Sequence, residues 1–344
     1  MKAAVVEKPG LLVVRDIPEP PALGEYDVLC RVEFGAICTG TDTHIAFGGF
    51  AWPPVYPTIL GHESIGRAMR IGAKVRNFKV GDAITRVGTP PPADGSLTVT
   101  WGGFAQFAIA KDHRAMREDG LPESEWNSCR INQIVPPDID PKSATMMITW
   151  RETLSYITRI GVTSGSRLLV IGSGGNALAF VAHARNAGVA QIVVVGSPER
   201  REVAARLGAT HYLDYRNGAE ALEQAGKLAG DGFDFIIDGL GKSGLLNDYL
   251  PTVRDGGTIG MYGVDDFGKS LIDPMHARGE FRWYPNRYDE AETHDRVVAM
   301  IRSGQLEAGH WLNLDSPFPL DRINDAFDAL KQRKYLKALI RVSE

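Results

Sequence analysis

One stretch limits the architecture of this chain more than any other. Leu168-Leu169-Val170-Ile171 is a short apolar run, and Gly172-Ser173-Gly174-Gly175-Asn176-Ala177 follows it directly and opens a helical pattern. The turn has the form G-x-G-x-x-A. Its first glycine makes the turn tight. Its second lets the backbone approach a pyrophosphate. The small third residue lets helix and strand pack closely, while the helix N-terminus attracts the anion. Alone the pattern is weak, but between a strand and a helix it specifies a dinucleotide-binding half.

The residues that follow repeat the theme. QIVVVGSPERREVAARLGA is a second strand and helix, and FDFIIDGLG and GGTIGMYGV supply further buried strands. Apolar strands alternating with amphipathic helices predict a parallel sheet covered on both faces. In NAD sites an Asp or Glu at the end of the second strand accepts from the ribose 2′-hydroxyl. Here that strand ends Val194-Val195-Gly196-Ser197-Pro198-Glu199-Arg200-Arg201. Gly196 and Ser197 leave room for a 2′-phosphate, and Arg200 is placed to pair with it. NADP is therefore the expected coenzyme. NAD stays open, because Glu199 turned inward would take the acidic role.

The first third reads differently. Residues 1–110 hold short strand patterns at Met1–Val6, Leu11–Arg15, Asp27–Phe34, Ser64–Ile71 and Asp82–Arg86, joined by Gly/Pro turns. Such spacing predicts a β-rich, barrel-like domain. Residues 87–100 read as a loop, Trp101–Phe107 as a strand and Asp112–Asn132 as a surface insertion in the form of a solvated loop. Asp140–Gly161 has helical character, and the tail reads as a helix and then a strand. With 344 residues, two domains are expected. The formal charge of -4 argues against a general nucleic-acid partner. No apolar run reaches about 18 residues, so no membrane span is expected, and a start without a secretory segment predicts a cytoplasmic protein. The three cysteines, Cys30, Cys38 and Cys129, form neither a disulfide framework nor a four-cysteine zinc site.

Within the β-rich part lies Gly61-His62-Glu63-Ser64-Ile65-Gly66. Imidazole beside carboxylate suits a borderline metal such as zinc, or a proton-transfer pair. A lone His-Glu pair proves neither. The longer stretch GHESIGRAMRIGAKV, however, fits G-H-E-x2-G-x5-G-x2-V at six fixed positions. With MKA at the start, YPTILGHE, VGDAI, GGFAQF, the glycine-rich turn and DGGTIGMYG, it resembles the zinc-containing alcohol and polyol dehydrogenases of the medium-chain dehydrogenase/reductase superfamily. The resemblance covers nearly the whole chain. It implies an α/β architecture: a GroES-like β-rich catalytic domain (1–157 and 295–344) and a Rossmann doubly wound parallel-sheet domain (158–294).

The resemblance also implies site residues. His62 becomes a zinc ligand and Glu63 a ligand or its neighbour. The family reads Cys-x-Ser/Thr-Asp-x-His, whereas this chain reads Cys38-Thr39-Gly40-Thr41-Asp42-Thr43-His44, one residue longer. A bulge would restore Cys38 as the thiolate; without one the slot holds Thr39. The third-ligand slot falls near Ile148 or Trp150, neither of which ligates, and Glu152 is the nearest carboxylate. The implied set for one catalytic ion is Cys38 and His62 with Glu63 or Glu152. Thr41 and His44 take the proton-relay positions, and Lys337 the place of a basic residue on the coenzyme pyrophosphate. Gly172, Gly174, Gly175 and Ala177 cradle the dinucleotide. Residues 81–103 lack the cysteines of a structural zinc lobe. Phe47, Phe50, Trp52, Trp101 and Trp150 are candidate substrate walls.

The expected function is NADP(H)-dependent interconversion of an alcohol (secondary, polyol or sugar-like) and a carbonyl, zinc-assisted, in a homodimer or homotetramer. Two other readings stand beside it. One is a zinc-free quinone or enoyl reductase. The other is an NADPH-binding protein without turnover.

Overall fold

The computed structural model describes residues 1–50, 52–266 and 268–343. The chain forms two compact units, Met1–Ile148 with His294–Glu344, and Thr149–Thr293. Among the described residues no helix is long and apolar enough to cross a membrane.

The first unit is built on strands, as its turn-rich sequence predicts. A seven-stranded sheet is ordered Phe318–Pro319, Ala338–Arg341, Asp27–Ile37, Glu63–Ile71, Ala83–Thr85 and Ile134–Val135, with Phe107–Lys111 also pairing with Asp27–Ile37. A smaller four-stranded sheet carries Lys2–Lys8 and Leu11–Asp16. Alternate residues of the long strands (Val28, Cys30 and Val32, with Ile84 and Ile340 on their neighbours) meet Phe104 in one apolar core. This is the inward-outward alternation of a half-buried sheet.

Two local expectations are corrected. Trp101–Phe107 is not a strand: the ladder begins only at Phe107, because Trp101 and Gly102 take positive φ of 68° and 73° and break the extended run. Asp112–Asn132 is not an irregular insertion. It folds into helices His113–Glu118 and Glu123–Trp126 and a 3-10 turn, Asn127–Ile131. Asp112 starts it, capping the Ala115 amide and fully buried.

The second unit holds a six-stranded sheet ordered His211–Asp214, Gln191–Gly196, Arg167–Ile171, Phe233–Asp238, Val253–Met261 and Phe281–Tyr284. Every pairing in it is parallel. Numbered along the unit, the order is 3-2-1-4-5-6, the Rossmann arrangement, whose switch point lies between the first and fourth strands. Ile171 and Asp238 end those two strands, so the glycine-rich turn opens at the switch point.

The C-terminal strand has a consequence for the first unit. Ala338 pairs antiparallel with Ile37, which carries Lys337 alongside the Cys38 turn. The Lys337 ammonium lies 2.6 Å from Glu63 Oε1, with the two side chains 1% and 0% exposed. The expectation that Lys337 contacts a coenzyme pyrophosphate is thus corrected. A buried ammonium needs a buried anion, and strand pairing brings it to Glu63. Removing one partner leaves the other charge stranded. Lys337→Met is predicted to cost about 3–5 kcal/mol, and Lys337→Met/Glu63→Gln to recover most of it, as read by urea unfolding. A single variant within about 1 kcal/mol of wild type, the size of a surface pair, would contradict a buried pair.

Candidate functional site

The strand Asp27–Ile37 ends one residue before Cys38, and the helix Thr41–Phe47 begins three residues after it. The intervening turn is fastened by Asp42, which is 0% exposed. Its Oδ2 accepts from the Cys38 amide at 2.9 Å, and its Oδ1 accepts from His62 Nδ1 at 3.3 Å. One carboxylate therefore sets both the backbone of Cys38 and the ring of His62. No local pattern in the sequence marks Asp42 for this role. His62 enters through Gly61, whose φ of 98° and lack of a side chain let the chain pass Phe104.

Cys38, His62 and Glu63 each present a donor atom, all within 4.8 Å of one another and all buried. His62 Nε2 is 3.8 Å from Glu63 Oε1. With Asp42 on Nδ1, Nε2 is the nitrogen left for a cation. The structure thus brings Cys38, rather than Thr39, beside His62. Glu152 stands outside this group. It belongs to the second unit, where its carboxylate accepts from the Tyr262 hydroxyl at 3.1 Å and the Tyr288 hydroxyl at 3.3 Å.

The electrostatics distinguish two equally buried thiols. Burial pushes Cys30 up to about 12. Burial acts on Cys38 in the same sense, yet the Lys337 charge and the His62 ring outweigh it and hold the thiol below its ordinary value. For His62, burial works against the charged form, while Asp42 and Cys38 favour it and hold the ring well above the usual histidine range. A low thiol beside a basic ring is a ligand-forming environment.

Trp101 covers this group from one side. Its ring centroid lies 5.1 Å from that of His62, and the residue is 41% exposed. Arg86 Nη1 donates to the His62 carbonyl at 3.3 Å. Among the described residues three non-glycines have positive φ, Arg86, Trp101 and Arg333, so two of the three touch His62. Backbone strain of this kind gathers at functional sites. Thr41 starts the helix Thr41–Phe47, and His44, one turn on, bonds the Gly40 carbonyl through Nδ1. Phe47 and Trp52 are more than half exposed, whereas Trp150 is 1% exposed and belongs to the core.

In the second unit, Gly172 has φ 115°, and its amide donates to Val195 O at 2.8 Å, continuing the ladder to the strand Gln191–Gly196 as the turn begins. Gly174 caps the helix Gly175–Asn186. A side chain on Gly239 would meet Ala177 Cβ at 3.1 Å, so the small third residue serves close packing as expected. Gly196 acts differently. The space a side chain would take there is filled by Ser173 and the Tyr212 hydroxyl, which donates to Ser197 O. The glycine admits that packing rather than leaving a void for a phosphate. Glu199 does not turn inward: Arg216 Nη2 holds it at 2.5 Å. Its own backbone amide and then Arg216 keep its carboxyl at about 2. Arg200 ends the 3-10 turn Pro198–Arg200 just after Ser197, half-buried.

Residues 24–122 match the alcohol dehydrogenase GroES-like domain, and residues 175–283 match the zinc-binding dehydrogenase model. The L-galactonate-5-dehydrogenase of Escherichia coli (strain K12) is 26% identical over 343 residues, 99% of this chain and 98% of the relative. The NADP-dependent isopropanol dehydrogenase of Clostridium beijerinckii is 31% identical over 265 residues, 74% of each chain. The crystal structure of benzyl alcohol dehydrogenase from Acinetobacter calcoaceticus superposes with a TM-score of 0.81 over 99% of both chains at 18% identity, which speaks for the fold. Matched domains at both ends, a glycine-rich turn at the switch point and a sulfur-nitrogen-oxygen donor group lead to one family. The chain belongs to the zinc-type alcohol and polyol dehydrogenases of the medium-chain dehydrogenase/reductase superfamily, NAD(P)-dependent oxidoreductases that interconvert alcohols and carbonyls.

Proposed function

We propose that this protein oxidises a secondary alcohol or polyol, or reduces the matching carbonyl, with NADP(H) and one zinc ion held by Cys38, His62 and Glu63. The donor set carries this reading. Thiolate, imidazole and carboxylate within 4.8 Å match the ligands of a catalytic zinc, which keeps its fourth position open. The local charges lean the same way: the carboxyl groups of Asp42 and Glu63 and the low Cys38 thiol outnumber the single Lys337 ammonium beside them.

When bound, zinc supplies a Lewis acid for the substrate oxygen and the dinucleotide supplies the hydride acceptor or donor. The protein's own residues do the positioning. Asp42 keeps His62 in one tautomer with Nε2 toward the other donors. Lys337 fixes one oxygen of Glu63. Trp101 packs its ring against that of His62. Thr41 and His44 lie three residues apart on one helix and so share a face. The hydroxyl and imidazole offer donor-acceptor steps by which a substrate proton reaches solvent, with His44 anchored at Gly40 through Nδ1.

NADP is favoured over NAD because the strand Gln191–Gly196 ends without an acid, Glu199 is engaged by Arg216, and Ser197 and Arg200 follow. The name of the isopropanol-oxidising relative, which is NADP-dependent, supports the same choice and a secondary alcohol. The metal-free quinone or enoyl reading gives no role to a buried thiol, imidazole and carboxylate brought together.

The test is initial-rate kinetics over a panel of secondary alcohols, polyols and their carbonyls with each coenzyme. Turnover is expected for at least one pair, with kcat/KM at least about tenfold higher for NADP+ than for NAD+, the worth of one charge-assisted contact. His62→Ala is expected to lower it by roughly 10³-fold, since Lewis-acid stabilisation is worth several kcal/mol. No turnover anywhere in the panel, or a His62→Ala enzyme as fast as wild type, would sink the reading. A preference for NAD+ would overturn the coenzyme assignment alone.

A further inference from the structure

A chain of polar side chains, buried at its centre, runs through the second unit and touches the glycine-rich turn. Tyr262 directly follows the strand Val253–Met261. Its hydroxyl lies 3.0 Å from Asn176 Nδ2 and 3.1 Å from Glu152 Oε2. The other oxygen of Glu152 is 3.3 Å from the Tyr288 hydroxyl. An ionised carboxylate only accepts and an amide N–H only donates. Tyr262 must therefore donate to Glu152 and accept from Asn176, which gives the chain one direction.

The surroundings hold that direction. Tyr262 is 7% exposed and Glu152 is 5% exposed. The Tyr262 ring packs edge-on against Phe180 at 4.9 Å and Tyr156 at 5.2 Å, and lies 6.1 Å from Tyr288. The hydroxyl cannot swing away without unpacking these rings, and a buried hydrogen-bonded network of this kind acts as a unit. Asn176 at its far end is an x position of the G-x-G-x-x-A turn, in the first turn of the helix Gly175–Asn186.

We propose that Tyr262 is a positioning residue that couples dinucleotide binding at the Gly172–Ala177 turn to the setting of Glu152. The proposal rests on the reading above that a dinucleotide occupies that turn. Coupling is reciprocal: if coenzyme at the turn biases Glu152 through Asn176 and Tyr262, a change at Glu152 alters coenzyme affinity by the same factor. A carboxylate that was only structural would have no such effect.

The experiment is a double-mutant cycle on NADPH dissociation constants, measured by fluorescence titration of the full-length protein. The variants are Tyr262→Phe, which removes only the hydroxyl, Glu152→Gln and the double. Each single variant is expected to weaken NADPH about fivefold, the lower end of ordinary coupling, and the double to be no weaker than the worse single. Asn176→Ala, at a half-buried position, is expected to reproduce the Tyr262→Phe value even if a core variant folds poorly. Single variants that bind NADPH like wild type, or effects that multiply in the double, would overturn the coupling. A wild-type protein that binds neither NADPH nor NADH would overturn the dinucleotide reading and the coupling together. Melting temperatures taken alongside separate a general loss of stability, which leaves the affinities of the folded fraction unchanged.

Discussion

Lys337 and Glu63 share the interior of the first unit at 2.6 Å, and the donor group is arranged around that pair. Neither charge would remain buried alone. Together they anchor the last strand against the Cys38 turn and fix one oxygen of the His62-Glu63 motif. Lys337 also lowers the Cys38 thiol against the pull of burial. Asp42 completes the frame by binding the Cys38 amide and the His62 ring at once. The result is a set of potential ligands preorganised by its neighbours, so a cation need not order them on arrival.

The second unit solves a different problem, that of bringing backbone close to an anion. Its glycines do so by steric necessity. Gly172 takes a φ of 115°, and Ala177 sits where Gly239 leaves no side chain to oppose it. The parallel order then places this turn at the switch point, where a ligand meets two diverging strands. The same helix start carries Asn176 and, through Tyr262, reaches Glu152. In each unit a functional backbone turn is held by side chains buried behind it.

What could be read from the residues alone follows this physics. The glycine-rich turn and the G-H-E stretch were legible because steric rules act over a few neighbouring positions. The side-chain partners were not. Lys337 meets Glu63 across 274 positions and Tyr262 meets Glu152 across 110. Those meetings depend on strand register, which no local pattern carries. One signal was available: a lysine among the apolar residues of KYLKALI implies a buried counter-charge. Gly196 shows the opposite case. Its lack of a side chain was visible, but only the structure shows Tyr212 and Ser173 filling the space. The segment Asp112–Asn132 read as a loop because its helices are short, and only the first of them has a side-chain cap, Asp112.

The chemistry proposed for the first unit depends on Cys38, His62 and Glu63 holding one divalent cation in a preorganised site. The most direct measurement is titration of chelator-treated protein with Co2+, followed by visible and near-ultraviolet absorption. Saturation at one ion per chain is expected, with a thiolate-to-metal charge-transfer band that Cys38→Ser abolishes and Zn2+ bleaches. Absence of a saturable spectrum, or an identical charge-transfer band in Cys38→Ser, would contradict it.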